Sequence, residues 1–201
     1  MNLASFLNGC FIALLARGEN GEAWPRFFDL SRSGFKTSFM AVLFTMGCYY
    51  ICGLGLQNER ALRLSENLAK PGEPEAISLG VFFLLAALYS LTFLGCAYIL
   101  AMVFDKQDRF RAWVIVRHWS VFFVALFVAL LFVLYLYAGL AFAIVNMLAL
   151  LAYLSLLAID IRLAQKIAGF DWGGAVLTGC IIHGMSLTVI VAGVAQIQQS
   201  L

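Results

Sequence analysis

Two histidines and five cysteines are the side chains of this 201-residue chain best suited to holding a metal or cofactor. His183 lies within the apolar stretch TGCIIHGMS, and His118 lies beside Arg117. Ligands to one haem or metal must converge on one centre. The two imidazoles fall on different predicted helices at depths that differ by about 6 Å, and Cys180 is the one further ligand near His183. We therefore predict no cofactor and no metal, with a b-type haem or quinone protein as an alternative.

Small residues around His183 favour a packing role. Ala175 and Gly179 precede it at helical spacing, and Cys180, Gly184 and Thr188 form a second stripe. Such stripes let membrane helices approach closely, and polar side chains between them form hydrogen bonds. We predict that His183 donates a hydrogen bond between helices and that its helix is central in the bundle or packs against a partner. The candidate polar and packing site comprises His183, Cys180, Gly179, Gly184 and Asn146.

The sequence gives no support for an enzyme. It has no P-loop, no G-x-S-x-G and no H-E-x-x-H motif. Cys48 and Cys52 share a helical face, and we interpret them as packing residues because cysteine behaves as a small apolar residue there.

Composition identifies the class of protein. Hydrophobic residues make up 63% of the chain and charged residues 12%, whereas charged residues are about a quarter of soluble domains. The chain is therefore an integral membrane protein. Its net charge of +2 gives no indication of nucleic-acid binding, and the N-terminus lacks the basic region of a secretory signal, so we predict that it is retained.

Long apolar runs predict the spans. About 20 helical residues cross a hydrocarbon layer of about 30 Å. The run from Trp113 to Ile159 would make a helix of about 70 Å, so a turn must interrupt it, and we place the turn at Gly139. We predict an all-α, polytopic membrane helical bundle with five transmembrane helices at 37–57, 78–104, 113–136, 140–160 and 174–194.

Residues 1–36 differ from the transmembrane domain of residues 37–201. Apolar side chains recur at helical spacing over residues 3–16, and Pro25 suits the first turn of a second short helix. We predict one or two amphipathic helices at the membrane interface. Residues 58–78 form the largest predicted loop, in which Pro71 and Pro74 end a short helix.

Basic residues predict the orientation. With the N-terminus inside, ten Lys and Arg lie on the cytoplasmic face and three on the outer face, as the positive-inside rule requires. Tryptophan favours the headgroup region, and we predict an interfacial set at the cytoplasmic boundary, made of Trp24, Trp113, His118, Trp119 and Trp172. The C-terminus is then outside, and we expect a bacterial inner membrane.

Charged residues are missing from the middle of the predicted spans. Arg117, Asp160 and Arg162 fall near cytoplasmic ends, where side chains reach the interface. Coupled transporters usually carry a mid-membrane carboxylate, so this pattern counts against transport. A small oligomeric transporter or channel with a polar pathway near His183 and Asn146 stays an alternative.

The order of elements resembles the Yip1-type membrane proteins, which have a cytoplasmic amphipathic region followed by five close helices. The stretch FFDLSRSGFKTSF at 27–39 is similar to the start of small bacterial inner-membrane proteins. Neither resemblance assigns a role to a residue. We predict a scaffold or accessory subunit that binds membrane lipids and another membrane protein, or that self-associates through the fifth helix.

Overall fold

The computed structural model describes residues 3–15, 18–66 and 79–200. The elements follow in the order α1 (Leu3–Leu15), a 3₁₀ segment (Gly18–Phe27), α2 (Arg32–Ser65), α3 (Leu79–Val103), α4 (Gln107–Ala138), α5 (Phe142–Lys166) and α6 (Trp172–Ser200). The five helices α2 to α6 are long and apolar enough to cross a membrane. The predicted all-α bundle with five spans is confirmed.

Glycine ends α4 where a break was predicted. Gly139 has φ 71°, in the left-handed region, and its backbone N–H and that of Leu140 both donate to the carbonyl of Leu134. This arrangement satisfies the last carbonyls of the helix. Gly169 likewise has a left-handed φ of 74° after α5, and the backbone N–H of Phe170 donates to the carbonyl of Ala164 there. Both tight turns make their flanking helices antiparallel neighbours.

The start of α2 is fixed by the residues before it. The Ser31 hydroxyl accepts hydrogen bonds from the backbone N–H groups of Ser33 and Gly34, which caps the helix. A Cβ at Gly34 would overlap the backbone carbonyl of Asp29, so this turn requires glycine. Pro25 lies near the end of the 3₁₀ segment rather than in the first turn of a helix, so that expectation was wrong.

The helix α4 is the centre of the bundle. It packs against α1, α2, α3 and α5, whereas α6 packs mainly on α3 and α5. Every residue from Trp113 to Phe122 is buried. Of the two predicted placements of the fifth span, the central one is wrong, because small residues permit close approach but do not determine how many helices surround their own; its packing against a partner stays a prediction.

The helix α2 extends into the predicted loop of residues 58–78, and α3 begins directly after it. The helix α2 continues to Ser65, so the first part of the loop belongs to α2. Residues 67–78, with Pro71 and Pro74, lie outside the described residues. Antiparallel order places the start of α4, the end of α5 and the start of α6 at one end of the bundle, which we call the basic end because Arg111, Arg162 and Lys166 lie there.

Candidate functional site

An ion pair lies inside the bundle between α4 and α5. The Nε of Arg117 donates to Oδ1 of Asp160 at 2.7 Å, and its Nη2 donates to Oδ2 at 3.3 Å. The two side chains are 2% and 1% exposed. The expectation that both reach the interface was wrong. Since α4 begins at Gln107, Arg117 lies about 15 Å along the helix, and it turns inward to Asp160.

The helix α3 completes the surroundings of the guanidinium. Nη2 of Arg117 also donates to the Tyr89 hydroxyl at 3.0 Å, and the Cζ of Arg117 lies 3.8 Å from the ring centroid of Phe93. Paired charges and a cation over an aromatic face offset the cost of burial. Arg117 thus joins α3, α4 and α5 through one buried polar cluster, which we define as Tyr89, Arg117 and Asp160.

His183 lies at the α5–α6 contact, where its Nδ1 has no hydrogen-bond partner among the described residues, so the predicted hydrogen bond is not found there. Its ring centroid is 5.0 Å from that of Tyr153. Three buried polar atoms in this part of α5 and α6 have no hydrogen-bond partner among the described residues: Nδ1 of His183, the Tyr153 hydroxyl and Oγ of Ser186. Unpaired buried polar atoms are uncommon. The contact of His183 with α5 is thus between aromatic rings, those of His183 and Tyr153.

The predicted candidate site divides between two faces of α6. Gly179 is buried, and a Cβ there would lie 2.9 Å from the backbone N of Ile161, so α5 and α6 approach closely at this point. Cys180 and Gly184 are exposed on the outer face. Asn146 is exposed on α5. The structure thus brings Gly179 and His183 to the interior and leaves the other three outside it.

His118 is buried rather than interfacial. It is 3% exposed, and its Nδ1 lies 3.1 Å from Oγ of Ser38. The Ser38 hydroxyl donates its single proton to the carbonyl of Phe35, so Nδ1 of His118 carries a proton and donates to Ser38. Nε2 then has no partner among the described residues. The expected contact of His118 with headgroups was wrong, because its ring faces α2.

The predicted tryptophan set also divides. Trp113 and Trp119 are 0% and 2% exposed and face the bundle interior, whereas Trp172 is 63% exposed. Trp24 is half-buried beside Phe28. The buried pair packs as core aromatic residues, and the indole of Trp119 stacks on Phe6 of α1 at 4.2 Å.

An apolar groove runs beside α1 along the surfaces of α4 and α5. Its volume is about 750 Å³. Residues at helical spacing line it from each helix, among them Leu7, Phe11, Phe123, Phe127, Ser155 and Ile159. The sequence does not predict this groove, because its apolar residues resemble any lipid-facing surface. The helical spacing of apolar residues in α1 was the signal that an additional helix covers the bundle.

Arg162 is the charged residue of the groove lining. Its Nε donates to the carbonyl of Leu14 at 3.0 Å, and its Nη1 donates to Oε1 of Gln165 at 2.8 Å. A guanidinium has five N–H donors, so three remain beyond these two bonds. Arg162 thus fixes the C-terminal end of α1 and presents donors at the basic end of the groove.

Cys10 contributes to the same groove from α1. Burial raises the pKa of its thiol to about 12, and the neighbouring Ser120 hydroxyl opposes this in part. A reactive cysteine has a lowered pKa. Cys10 is therefore a packing residue of the groove lining.

No family model, no curated protein and no solved structure matches this chain. The resemblance to Yip1-type proteins stays a prediction. Fold and site alone define the class of protein: a five-span helical membrane protein with an apolar groove and a buried ion pair.

Proposed function

We propose that this chain is a scaffold or accessory protein of a bacterial inner membrane and that it binds a membrane lipid in the groove beside α1. The groove is the observation that supports this proposal. Ligand sites in proteins occupy about 300–1,000 Å³, and the groove has about 750 Å³. An apolar lining suits a hydrocarbon chain, since burial of each CH₂ contributes about 0.8 kcal/mol.

The orientation of the chain supports the same proposal. Without the buried Arg117, the predicted count of Lys and Arg is nine at the basic end against three at the other, which favours a cytoplasmic basic end, following the positive-inside rule. The N-terminus is then cytoplasmic and the C-terminus outside. A lipid in the groove would belong to the cytoplasmic leaflet.

Blocking the groove tests the proposal. Ser155→Trp places an indole in the groove, and Leu150→Trp places one on the outer face of the same helix, where Leu150 is 58% exposed. We expect native mass spectrometry of detergent-purified protein to show retained phospholipid in the wild type and in Leu150→Trp, and little in Ser155→Trp. Equal retention by all three proteins would contradict lipid binding in the groove.

Association through α6 is the second part of the proposal. Cys180, Gly184 and Thr188 lie on the exposed face of α6, and a Cβ at Gly184 would meet nothing within 4 Å. Small residues on an open face permit close approach of another helix. We expect disulfide crosslinking between Cys180 side chains in membranes, and crosslinking that persists unchanged in Gly184→Leu would contradict the contact.

The buried polar cluster favours a small transporter or channel as the second candidate function. Ionisable residues within a membrane usually mark pathways or relays, and the unpaired polar atoms of His183, Tyr153 and Ser186 lie in the interior of the bundle. Asn146 is exposed on α5 and lies outside this polar interior. Proton flux into proteoliposomes that is lost in His183→Ala and kept in Asn146→Ala would support this function, and absence of flux in the wild type would contradict it.

The remaining alternative is a b-type haem or quinone protein. His118 holds its Nδ1 proton toward Ser38 and has an unpaired Nε2, an orientation that ligating histidines commonly have. A haem absorption band in the purified protein would favour this alternative over the scaffold. A colourless protein with no extractable quinone would contradict it.

A further inference from the structure

The groove and the charges at its basic end select one class of lipid. Resting on the proposed function, we propose that the groove holds one acyl chain of an anionic phospholipid of the bilayer and that Arg162 and Lys166 bind its phosphate. The proposal depends on three observations: the length of the groove, its position on α5 and the placement of the two cations.

The length of the groove fits one leaflet. Its lining on α5 extends from Ala152 to Arg162, ten residues or about 15 Å along the helix. This is half of a hydrocarbon layer of about 30 Å. An acyl chain that enters at the basic end and follows α5 therefore ends near the middle of the bilayer, as the chains of a phospholipid do.

The cations lie where the headgroup of that lipid would be. Ser155, Ile159 and Arg162 line the groove at helical spacing, and Lys166 follows Arg162 by four residues on the same face. Arg162 is the last of these lining residues and lies about 6 Å from the end of α5. Guanidinium and ammonium groups are the side chains that bind phosphate. Asp160, the nearest acid on α5, is turned inward and paired with Arg117.

Headgroup preference tests the proposal. Wild-type protein is reconstituted in nanodiscs of equal phosphatidylglycerol and phosphatidylcholine, and the lipid retained by the protein is counted by native mass spectrometry. A basic residue near the membrane surface favours an anionic lipid by about fivefold. We expect the wild type to retain more phosphatidylglycerol than phosphatidylcholine. In Lys166→Gln, the ratio of the two retained lipids should fall about fivefold. Arg111→Gln, which removes an exposed cation of α4 at the same end, should keep it.

Arg162 requires a separate variant because it also holds α1. Arg162→Lys keeps the positive charge but lacks the planar fork that reaches the Leu14 carbonyl and a phosphate together, so we expect a weaker preference than in the wild type. Lys166→Gln leaves the bond to Leu14 unchanged, and its result stands if Arg162 variants fail to fold. Equal retention of both lipids by the wild type, or a preference unchanged in Lys166→Gln, would overturn the headgroup assignment.

These results separate the two proposals. Loss of all retained lipid in Ser155→Trp, together with no headgroup preference in the wild type, would keep the groove as a lipid site and reject the preference for an anionic headgroup. Retention that no substitution alters would mean annular lipid only, and both proposals would fail.

Discussion

Replacing Asp160 by Asn should destabilise the bundle because it removes one charge of a buried pair. Arg117 and Asp160 are 2% and 1% exposed, and the carboxylate accepts from Nε at 2.7 Å and from Nη2 at 3.3 Å. Asn is nearly isosteric with Asp, so the substitution changes the charge without opening a cavity. Arg117 keeps its positive charge because a guanidinium stays protonated in proteins.

The expected cost follows from these contacts. The single carbonyl oxygen of Asn replaces two carboxylate oxygens, so at least one charge-assisted hydrogen bond is lost, at about 1.5–3 kcal/mol. The guanidinium also loses its counter-charge, and breaking a buried pair by removing one partner costs about 3–5 kcal/mol in all. Tyr89 and Phe93 still contact Arg117, which favours the lower end of that range. We expect Asp160→Asn to reduce the free energy of unfolding by about 3 kcal/mol.

A double-mutant cycle measures the coupling. Unfolding by SDS in mixed micelles is followed by the fluorescence of the buried tryptophans for Asp160→Asn, Arg117→Met and the double variant. Replacement of both charged partners is often nearly neutral, so the double variant should be no less stable than either single one. Arg111→Met, at an exposed position of α4, should stay within about 0.5 kcal/mol of the wild type. A loss below about 1 kcal/mol for Asp160→Asn, or additive losses in the double variant, would refute the pairing.

Three further substitutions or reactions test other contacts. Gly179→Ala should lower the melting temperature, because its Cβ would lie 2.9 Å from the backbone N of Ile161, whereas Gly184→Ala on the same helix should leave it unchanged; equal effects would contradict the close α5–α6 contact. Cys10, as the single cysteine of a variant, should resist maleimide at pH 8 until SDS unfolds the protein, because burial raises the pKa of the thiol to about 12; labelling of the folded protein would contradict its burial. Phe6→Ala should speed hydrogen exchange in α1 but not in α4, since Phe6 stacks on Trp119; the same change in Phe11→Ala, where the ring is 54% exposed, would argue against that stack as the anchor.

The spans were predictable because the hydrocarbon layer of the membrane determines how long and how apolar a spanning helix must be. A hydrocarbon layer requires helices with internal backbone hydrogen bonds, and every predicted span overlaps one of the helices α2 to α6. The break at Gly139 was predictable for the same reason, since a helix from Trp113 to Ile159 would exceed twice the layer. Its left-handed φ of 71° confirms that glycine was needed there.

The buried polar cluster was not predicted because the start of a span does not give the start of its helix. An assumed start at Trp113 placed Arg117 within a few residues of the interface, whereas α4 begins at Gln107. A signal was present in the sequence: Arg117 and Asp160 are opposite charges on antiparallel neighbouring helices, about 15 Å and 9 Å from the same end. The reach of an arginine side chain covers the difference. Pairing the charges across the Gly139 turn would have predicted the contact.

The interior and the lipid-facing surface were not separable for a more general reason. In a soluble protein a helix that is apolar all round is buried, but in a membrane every spanning helix is apolar on the lipid side as well. The central helix α4 is more apolar than the peripheral helix α6, yet hydropathy does not show which face of either helix meets protein, and the small residues of α6 indicated only that something approaches it. The buried face of α4 is marked by a charge, that of Arg117. Arg117, His118 and Ser120 lie within about one turn of α4, together with Trp119 and one turn after Trp113, and residues that lipid cannot solvate must face protein. In a membrane helix, polar residues therefore indicate the face that packs against protein more reliably than apolar ones.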